Sequence, residues 1–111
     1  MIVRIWRTEV NPSRMAEFEE FERQHSMPMF RHQSGCLGVF FVRTPHDCAV
    51  ISLWRDMASV EHLNHSPSYT QTVQRLLGTG MLHGKQVVEV FDVQNGFVDT
   101  QHLTMLLENT I

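Results

Sequence analysis

Residues 36–55, CLGVFFVRTPHDCAVISLWR, predict a β-hairpin that decides the fold. Two runs rich in β-branched and aromatic residues, 36–43 and 49–55, flank a turn-forming cluster of suitable length at 44–47. We therefore expect two neighbouring antiparallel strands. Side chains alternate along a strand, so the second strand presents one face made of Val50, Ser52 and Trp54, and another made of Ile51 and Leu53.

A strand and a helix precede this hairpin. Residues 2–10, IVRIWRTEV, predict a strand with Ile2, Arg4 and Trp6 on one face. Asn11-Pro12 caps an amphipathic helix, whose apolar stripe consists of Met15, Phe18, Phe21 (or Glu22), His25 and Met29. Pro28 falls inside this stripe, so we expect the helix to kink or end near Met27.

A helix and a strand follow the hairpin. Asp56 is positioned to cap a helix that restarts at Ser66-Pro67 and ends at Gly78. Beyond a loop at 79–85, residues 86–93 predict the fourth strand. The tail, 94–111, contains HLTMLLE, which fits either a short strand or a helix.

The predicted order is β-α-β-β-α-β, an α+β ferredoxin-like fold with one antiparallel sheet. We expect one domain over 1–93 and a separate C-terminal tail. Two helices would cover one face of the sheet and leave the other, with Ile51 and Leu53, bare. A homodimer that buries sheet against sheet would cover this face, and the apolar tail would pack on the neighbouring subunit.

Composition narrows the range of partners. The 111 residues are 42% hydrophobic and 19% charged, with a formal net charge of −3, which provides no basic field for a nucleic acid. No apolar run is long enough for a membrane span, and Arg4, Arg7 and Glu9 interrupt the first ten residues. We therefore expect a cytoplasmic protein.

The sequence resembles the antibiotic biosynthesis monooxygenase domain family over residues 2–93. The likeness lies in Pro28…Gly35-Cys36-Leu37-Gly38, then Ile51-Ser52-Leu53-Trp54-Arg55, then His62-Leu63…Ser66-Pro67…Tyr69. This resemblance implies a dimeric α/β barrel. It also implies a chemistry found in some members, the oxidation of aromatic polyketides or quinols by O₂ without metal or flavin.

Two departures from the family's patterns bear on the chemistry. In the anthrone-oxidising branch a Trp at the end of the third strand works with an Asn and a Tyr; Trp54 matches, but Val50 and Val60 occupy the other two positions. The haem-degrading branch uses an Asn, a Trp and a His. Trp6, Leu63 and Val73 stand there, so we do not expect haem breakdown by that triad.

Several side chains are candidates for binding an aromatic molecule. Trp54 could stack on a flat substrate and donate its indole N–H to an oxyanion, or could be a core aromatic. Arg4 could neutralise a phenolate, or could be solvated at the strand margin. The remaining candidate lining residues are Trp6, Phe21, Val50 and Ser52.

Histidines and one tyrosine are candidates for proton transfer. His25 lies on the apolar stripe of the first helix, which would direct its imidazole between helix and sheet. His62 is the second candidate acceptor, and Tyr69 a possible second donor. His62 and His65 are three residues apart, but no third ligand accompanies them, so we expect no metal site.

These residues support a hypothesis and two alternatives. The first is a cofactor-independent monooxygenase that ionises a small phenol or enol and lets the anion react with O₂. The second is a binding protein with the same pocket and no turnover, favoured by the valines at positions 50 and 60. The third is a haem-binding protein with a histidine as axial ligand.

Overall fold

Four antiparallel strands form a sheet in the order β2-β3-β1-β4 in this computed structural model, which describes residues 1–110. The strands are β1 (Ile2–Val10), β2 (Cys36–Arg43), β3 (Asp47–Trp54) and β4 (Leu82–Asp92). Each is rich in β-branched or aromatic residues, as the sheet surface favours. With helices in both crossovers, this order confirms the ferredoxin-like fold.

The register of the two central strands positions the residues of interest. Arg4 pairs with Ser52 and Trp6 pairs with Val50 across β1 and β3. The burial of β1 alternates, with Ile2, Arg4 and Trp6 inside, so the predicted face is confirmed. These side chains point toward the helical layer, where the apolar core lies.

The first crossover is a helix interrupted by a π segment. A 3₁₀ turn (Pro12–Arg14) leads into α1 (Met15–Phe21), five residues of π-helix (Glu22–Ser26) and then α2 (Met27–Arg31). Proline has no N–H and cannot make an interior α-helical bond, and Pro28 instead occupies the first turn of α2. The kink or end that the sequence predicts near Met27 is therefore the π segment just before Met27, and the helix continues as α2.

The second crossover consists of α3 (Met57–Asn64) and α4 (Pro67–Leu77), as predicted. The Asp56 carboxylate accepts a hydrogen bond of 2.8 Å from the Ser59 backbone N–H and caps α3. Ser66 caps α4 in the same way, with Pro67 in the first turn. The break between the helices lets α4 take its own direction.

The end of the chain differs from the prediction. β4 begins at Leu82 rather than at 86, because residues 83–87 of β4 form a bulge opposite Arg7–Glu9 of β1, and the left-handed Gly84 (φ 65°) lies within this bulge and keeps the strand in the sheet. The tail forms a helix, α5 (Thr100–Thr110), which decides between the two conformations that its sequence allowed.

The second face of the sheet has a trough that none of the helices within residues 1–110 lines. This open trough of about 570 Å³ has apolar residues such as Ile5, Ile51 and Val87 and a charged margin that includes Arg7 and Glu9. Within residues 1–110, no helix has the length and apolar character that crossing a membrane requires.

Candidate functional site

A small cavity of about 30 Å³ lies between the sheet and the helical layer. β1 and β3 form its floor, the first crossover forms one wall, and α4 forms the outer wall. Its lining residues are Arg4, Trp6, Phe18, Glu22, Ser26, Met29, Phe30, Val50, Tyr69, Thr72, Val73 and Leu76. The volume suffices for one or two water molecules, so a larger ligand requires α4 to move outward.

Arg4 contributes a buried cation to the floor of this cavity. Its residue surface is only 3% exposed. One guanidinium N–H donates to the Tyr69 hydroxyl at 2.7 Å, and the guanidinium carbon lies 5.2 Å from the centre of the Tyr69 ring. Among the ion pairs of the described residues, none includes Arg4. The sequence alternative of a solvated arginine is therefore wrong.

Tyr69 and Trp6 complete the aromatic part of the lining. Tyr69 is half-buried on the first turn of α4, and it accepts a hydrogen bond from Arg4, which leaves its own hydroxyl hydrogen able to donate. The indole N–H of Trp6 donates to the side-chain oxygen of Gln86 on β4 at 3.2 Å. This bond fixes the ring and leaves Trp6 with a packing role toward a ligand.

Glu22 is the acidic residue of the cavity. Its side chain is buried, and Oε2 has no hydrogen-bond partner. Burial, followed by the nearby charge of Glu19, raises the pKa of Glu22 to about 8, against a smaller lowering by Arg23. A carboxyl in this state is mostly protonated at pH 7, and it becomes available as a base as the pH rises toward and above about 8.

Ordinary helical spacing places Glu22 on the inward face, because it follows the buried Phe18 by four residues. Ser26 follows Glu22 by four more, and both are buried, whereas His25 is half-exposed. The pattern had included Glu22 only as an alternative to Phe21, and the π segment itself has no clear signal beyond the nearby Pro28.

His25 lies outside the cavity, so the expectation for its imidazole is wrong. Its ring packs 4.8 Å from the ring of Phe21, and its Nδ1 lies 3.2 Å from a guanidinium nitrogen of Arg75 on α4. Phe21 is buried in the core but is not part of the cavity lining. His62 is exposed on α3 and is likewise outside the lining.

Trp54 and Ser52 belong to the core beneath the cavity. Trp54 is fully buried, and its indole N–H donates to the Ser52 hydroxyl at 2.8 Å. The Ser52 hydroxyl in turn donates to the Arg4 backbone carbonyl at 3.3 Å. The indole N–H is thus already satisfied by the protein, which fits the core alternative. The structure brings together four of the expected residues, namely Arg4, Trp6, Val50 and Tyr69.

Cys48 lies on β3 near Glu22 and is chemically quiet. Burial, and next the charge of Glu22, raise the pKa of its thiol to about 12. The thiol therefore stays protonated and is a weak nucleophile. Over the side chains that the structure describes, those of residues 1–107, no three histidines, cysteines, aspartates or glutamates come together as metal ligands would.

Comparison with known families places the chain. The family model for antibiotic biosynthesis monooxygenase matches residues 1–75, which include the floor of the cavity, its first wall and Tyr69. The chain belongs to the antibiotic biosynthesis monooxygenase family. No curated protein matches this family member in sequence.

Solved structures of similar fold support the architecture. An antibiotic biosynthesis monooxygenase is 17% identical with a TM-score of 0.70, over 86% of this chain and 100% of that chain. Rv0793 from Mycobacterium tuberculosis is 15% identical with a TM-score of 0.69, over 86% and 96%. SnoaB, a cofactor-independent oxygenase from Streptomyces nogalater, was solved as a mutant; it is 17% identical with a TM-score of 0.69, over 86% and 94%. These likenesses concern the fold of this monooxygenase-family chain.

Proposed function

We propose that this protein is a cofactor-independent monooxygenase that oxidises a small hydroxyaromatic or enolic molecule with O₂. The observation that carries the proposal is the buried cation Arg4. It lines the cavity and takes part in none of the ion pairs of the described residues. Burying an unpaired charge is costly, so such a cation favours an anionic ligand. Membership of the family adds oxygenase chemistry as the expected use of the site.

The chemistry needs only proton transfer and charge stabilisation from the protein. An anthrone loses a proton and forms an electron-rich anion, and O₂ then adds at its methylene carbon. One oxygen atom becomes the new carbonyl, and the other leaves as water with the two hydrogens lost from the substrate. Arg4 and the Tyr69 hydroxyl would stabilise the oxyanion, and Trp6 and Val50 would pack against the ring.

The size of the cavity adds a requirement for movement. A tricyclic ring cannot enter about 30 Å³, so α4 with Tyr69, Thr72 and Val73 has to swing outward. Those three side chains are half-exposed and form the outer wall. Closure of α4 over the substrate would then exclude water from the anion and strengthen its interaction with Arg4.

The test is oxygen uptake by purified, metal-stripped protein with anthrones and quinols. We expect oxygen loss coupled to quinone formation, and a loss of at least tenfold in kcat/KM for Arg4→Met, since a charge-assisted hydrogen bond contributes roughly 1.5–3 kcal/mol. Arg31→Met, which removes an exposed arginine at the end of α2, is the matched control. Flat oxygen traces across the panel would overturn the proposal.

A second candidate is a small-molecule binding protein without turnover. The indole N–H of Trp54 is occupied by Ser52, and Val50 and Val60 provide no hydrogen bonds, which favours binding over catalysis. Saturable spectral shifts of the same ligands with no oxygen consumption would establish this function. A haem-binding role has less support, because none of the residues lining the cavity is a histidine.

We also propose a homodimer in which the uncovered face of the sheet meets its equivalent. Ile5, Ile51 and Val87 would form the apolar centre of the contact, and Arg7, which pairs with Glu89 of its own chain, would lie with Glu9 at its charged margin. The free cysteines Cys36 and Cys48 agree with a reducing compartment, so we place the protein in the cytoplasm. Analytical ultracentrifugation tests the dimer, and a fluorescent fusion tests the location.

A further inference from the structure

Glu22 differs from its acidic neighbours on the same stretch of helix. Glu17 pairs with Arg14, Glu19 with Arg43, and Glu20 with Arg23, all at least partly exposed. Glu22 is 9% exposed, and among the described side chains of residues 1–107 its Oε2 is the buried oxygen that has no hydrogen-bond partner. It belongs to the cavity lining and to the π segment, a local geometry that is frequent at functional sites.

We infer that Glu22 is the proton acceptor of the cavity, which takes the hydroxyl proton of a phenolic or enolic ligand while Arg4 and Tyr69 receive the resulting oxyanion. This inference rests on the proposed function and names its base and its substrate class. The ligand O–H bond breaks and a bond to Oε2 forms. The electron pair stays on the ligand oxygen, and no other reactant is needed.

The positions of the charges favour this transfer. Before it, the ionised form of Glu22 has a buried Oε2 without a partner, and Arg4 is buried without an anion. After it, Glu22 is neutral, and the negative charge lies on the ligand beside the guanidinium. Two separate buried charges are thus replaced by one ion pair, which lowers the electrostatic free energy.

None of the ionisable groups that face Glu22 competes with it for the proton of the ligand. Arg4 on β1 is a permanent cation, and the Cys48 thiol on β3 stays protonated because burial raises its pKa to about 12. Tyr69 on α4 already accepts from Arg4. On its own helix, Glu19 and Arg23 act in opposite directions on the pKa of Glu22, with the raising effect of Glu19 the larger, and His25 points toward Arg75.

The basicity of Glu22 suits the task. Burial raises its pKa to about 8, which brings it closer to the pKa of a phenol, about 10. Proton transfer is most efficient when the base is matched in this way, and Glu22 is ionised to take the proton at and above about pH 8. An ordinary carboxylate would be too weak a base by several powers of ten.

The experiment uses 2-naphthol as a probe that binds without being oxidised, at a pH just above 8, where free naphthol is mostly neutral. We expect wild type to shift bound naphthol to its anion spectrum without proton release to the buffer, and Glu22→Gln to bind it in the neutral form. Glu17→Gln, which removes an exposed carboxylate from the same helix, should behave as wild type. Oxygen uptake with anthrone is measured in parallel on all three proteins.

Each outcome separates the two proposals. Equal anion spectra in wild type and Glu22→Gln would overturn the role of Glu22 even if oxygen uptake supports the oxygenase. An anion spectrum that depends on Glu22, without oxygen uptake in wild type, would retain the proton acceptor and sink the oxygenase. With turnover, Glu22→Gln should lose at least tenfold in kcat/KM and also lose the rise of kcat/KM with pH toward about 8. No binding of naphthol or anthrone would overturn both.

Discussion

Arg4 and Glu22 line the same cavity from the sheet and from the helical layer, and they do not pair with each other. Above about pH 8, where Glu22 ionises, these opposite buried charges remain apart in the empty protein, and neither desolvation cost is offset. A ligand with an ionisable hydroxyl that reaches both groups would remove this cost. The stability and the affinity of the protein should therefore respond to changes at these two residues.

Glu22→Gln should change how stability depends on pH. The folded-state pKa of Glu22 is raised to about 8 from 4.5, so its protonated form favours folding, and this advantage is lost as pH rises from about 4.5 through about 8. In Glu22→Gln the free energy of unfolding should not fall in this way. The difference from wild type amounts to up to about 1.4 kcal/mol for each unit by which folding raises the pKa of Glu22. Urea unfolding of both proteins at several pH values checks this. A difference independent of pH would contradict it.

Arg4 and Tyr69 should act on an anionic ligand as a coupled pair. Arg4→Met and Tyr69→Phe should each weaken binding of naphtholate by about 10-fold or more. Each substitution removes one hydrogen-bond donor to the anion, and each also removes the hydrogen bond that holds the other donor in place. Because the two side chains share the 2.7 Å hydrogen bond, the double variant should lose less than the sum. Fluorescence titration of all four proteins gives the coupling, and strictly additive losses would show independent roles.

Trp54→Phe should affect stability rather than ligand binding. The variant loses the 2.8 Å hydrogen bond to Ser52 and part of a fully buried ring, at a cost of about 1–4 kcal/mol. Naphthol affinity should remain within about twofold below the unfolding transition. Trp6→Phe, which alters the lining itself, should change affinity. If Trp54→Phe is well folded but has no oxygenase activity, the Trp54 indole takes part in the reaction, and its assignment to the core alone is wrong.

Gly35→Ala should destabilise the protein more than Gly80→Ala. Both glycines have positive φ, 80° and 73°, so both substitutions carry backbone strain of about 1 kcal/mol. An added Cβ at Gly35 would lie 2.0 Å from the Ser59 hydroxyl oxygen, whereas at Gly80 the nearest atom is 3.6 Å away. Thermal unfolding should show the larger loss at Gly35, and equal losses would mean that α3 shifts freely.

Removal of residues 94–111 should weaken the proposed dimer. Phe97 is 94% exposed, and Met105 and Leu106 on α5 are also largely exposed in one subunit, which favours burial against a partner. Sedimentation velocity over a dilution series should show the truncated protein dissociating at higher concentration than the full chain. An unchanged profile would show that the sheet face alone holds the dimer.

The sequence predicted the fold well because hydrophobic periodicity and capping residues are local signals. Alternation placed Arg4 and Trp6 on the inner face, and Asp56 and Ser66-Pro67 marked the starts of α3 and α4. β4 was predicted too short, because Gly84 has the local appearance of a loop, and only pairing with β1 reveals the bulge. The strand end thus depended on a long-range contact.

The site was harder to predict, for a reason that His25 and Glu22 illustrate. The apolar stripe drawn through Phe21 directs His25 inward, whereas the four-residue spacing from Phe18 directs Glu22 and Ser26 inward, and the structure follows the second pattern. The hydrogen bond that satisfies Trp54 also joins residues two apart on one strand, and no periodicity reports whether an indole N–H is free. Site chemistry therefore depended on contacts that the pattern could not resolve.

The π segment Glu22–Ser26 also bears on how firmly the acid is held in place. A π turn contains one residue more than an α turn, so it changes the faces only of the residues that come after its start. Glu22 stands at that start, one turn beyond the buried Phe18. The acid at the cavity therefore does not depend on the length of the turn that follows it.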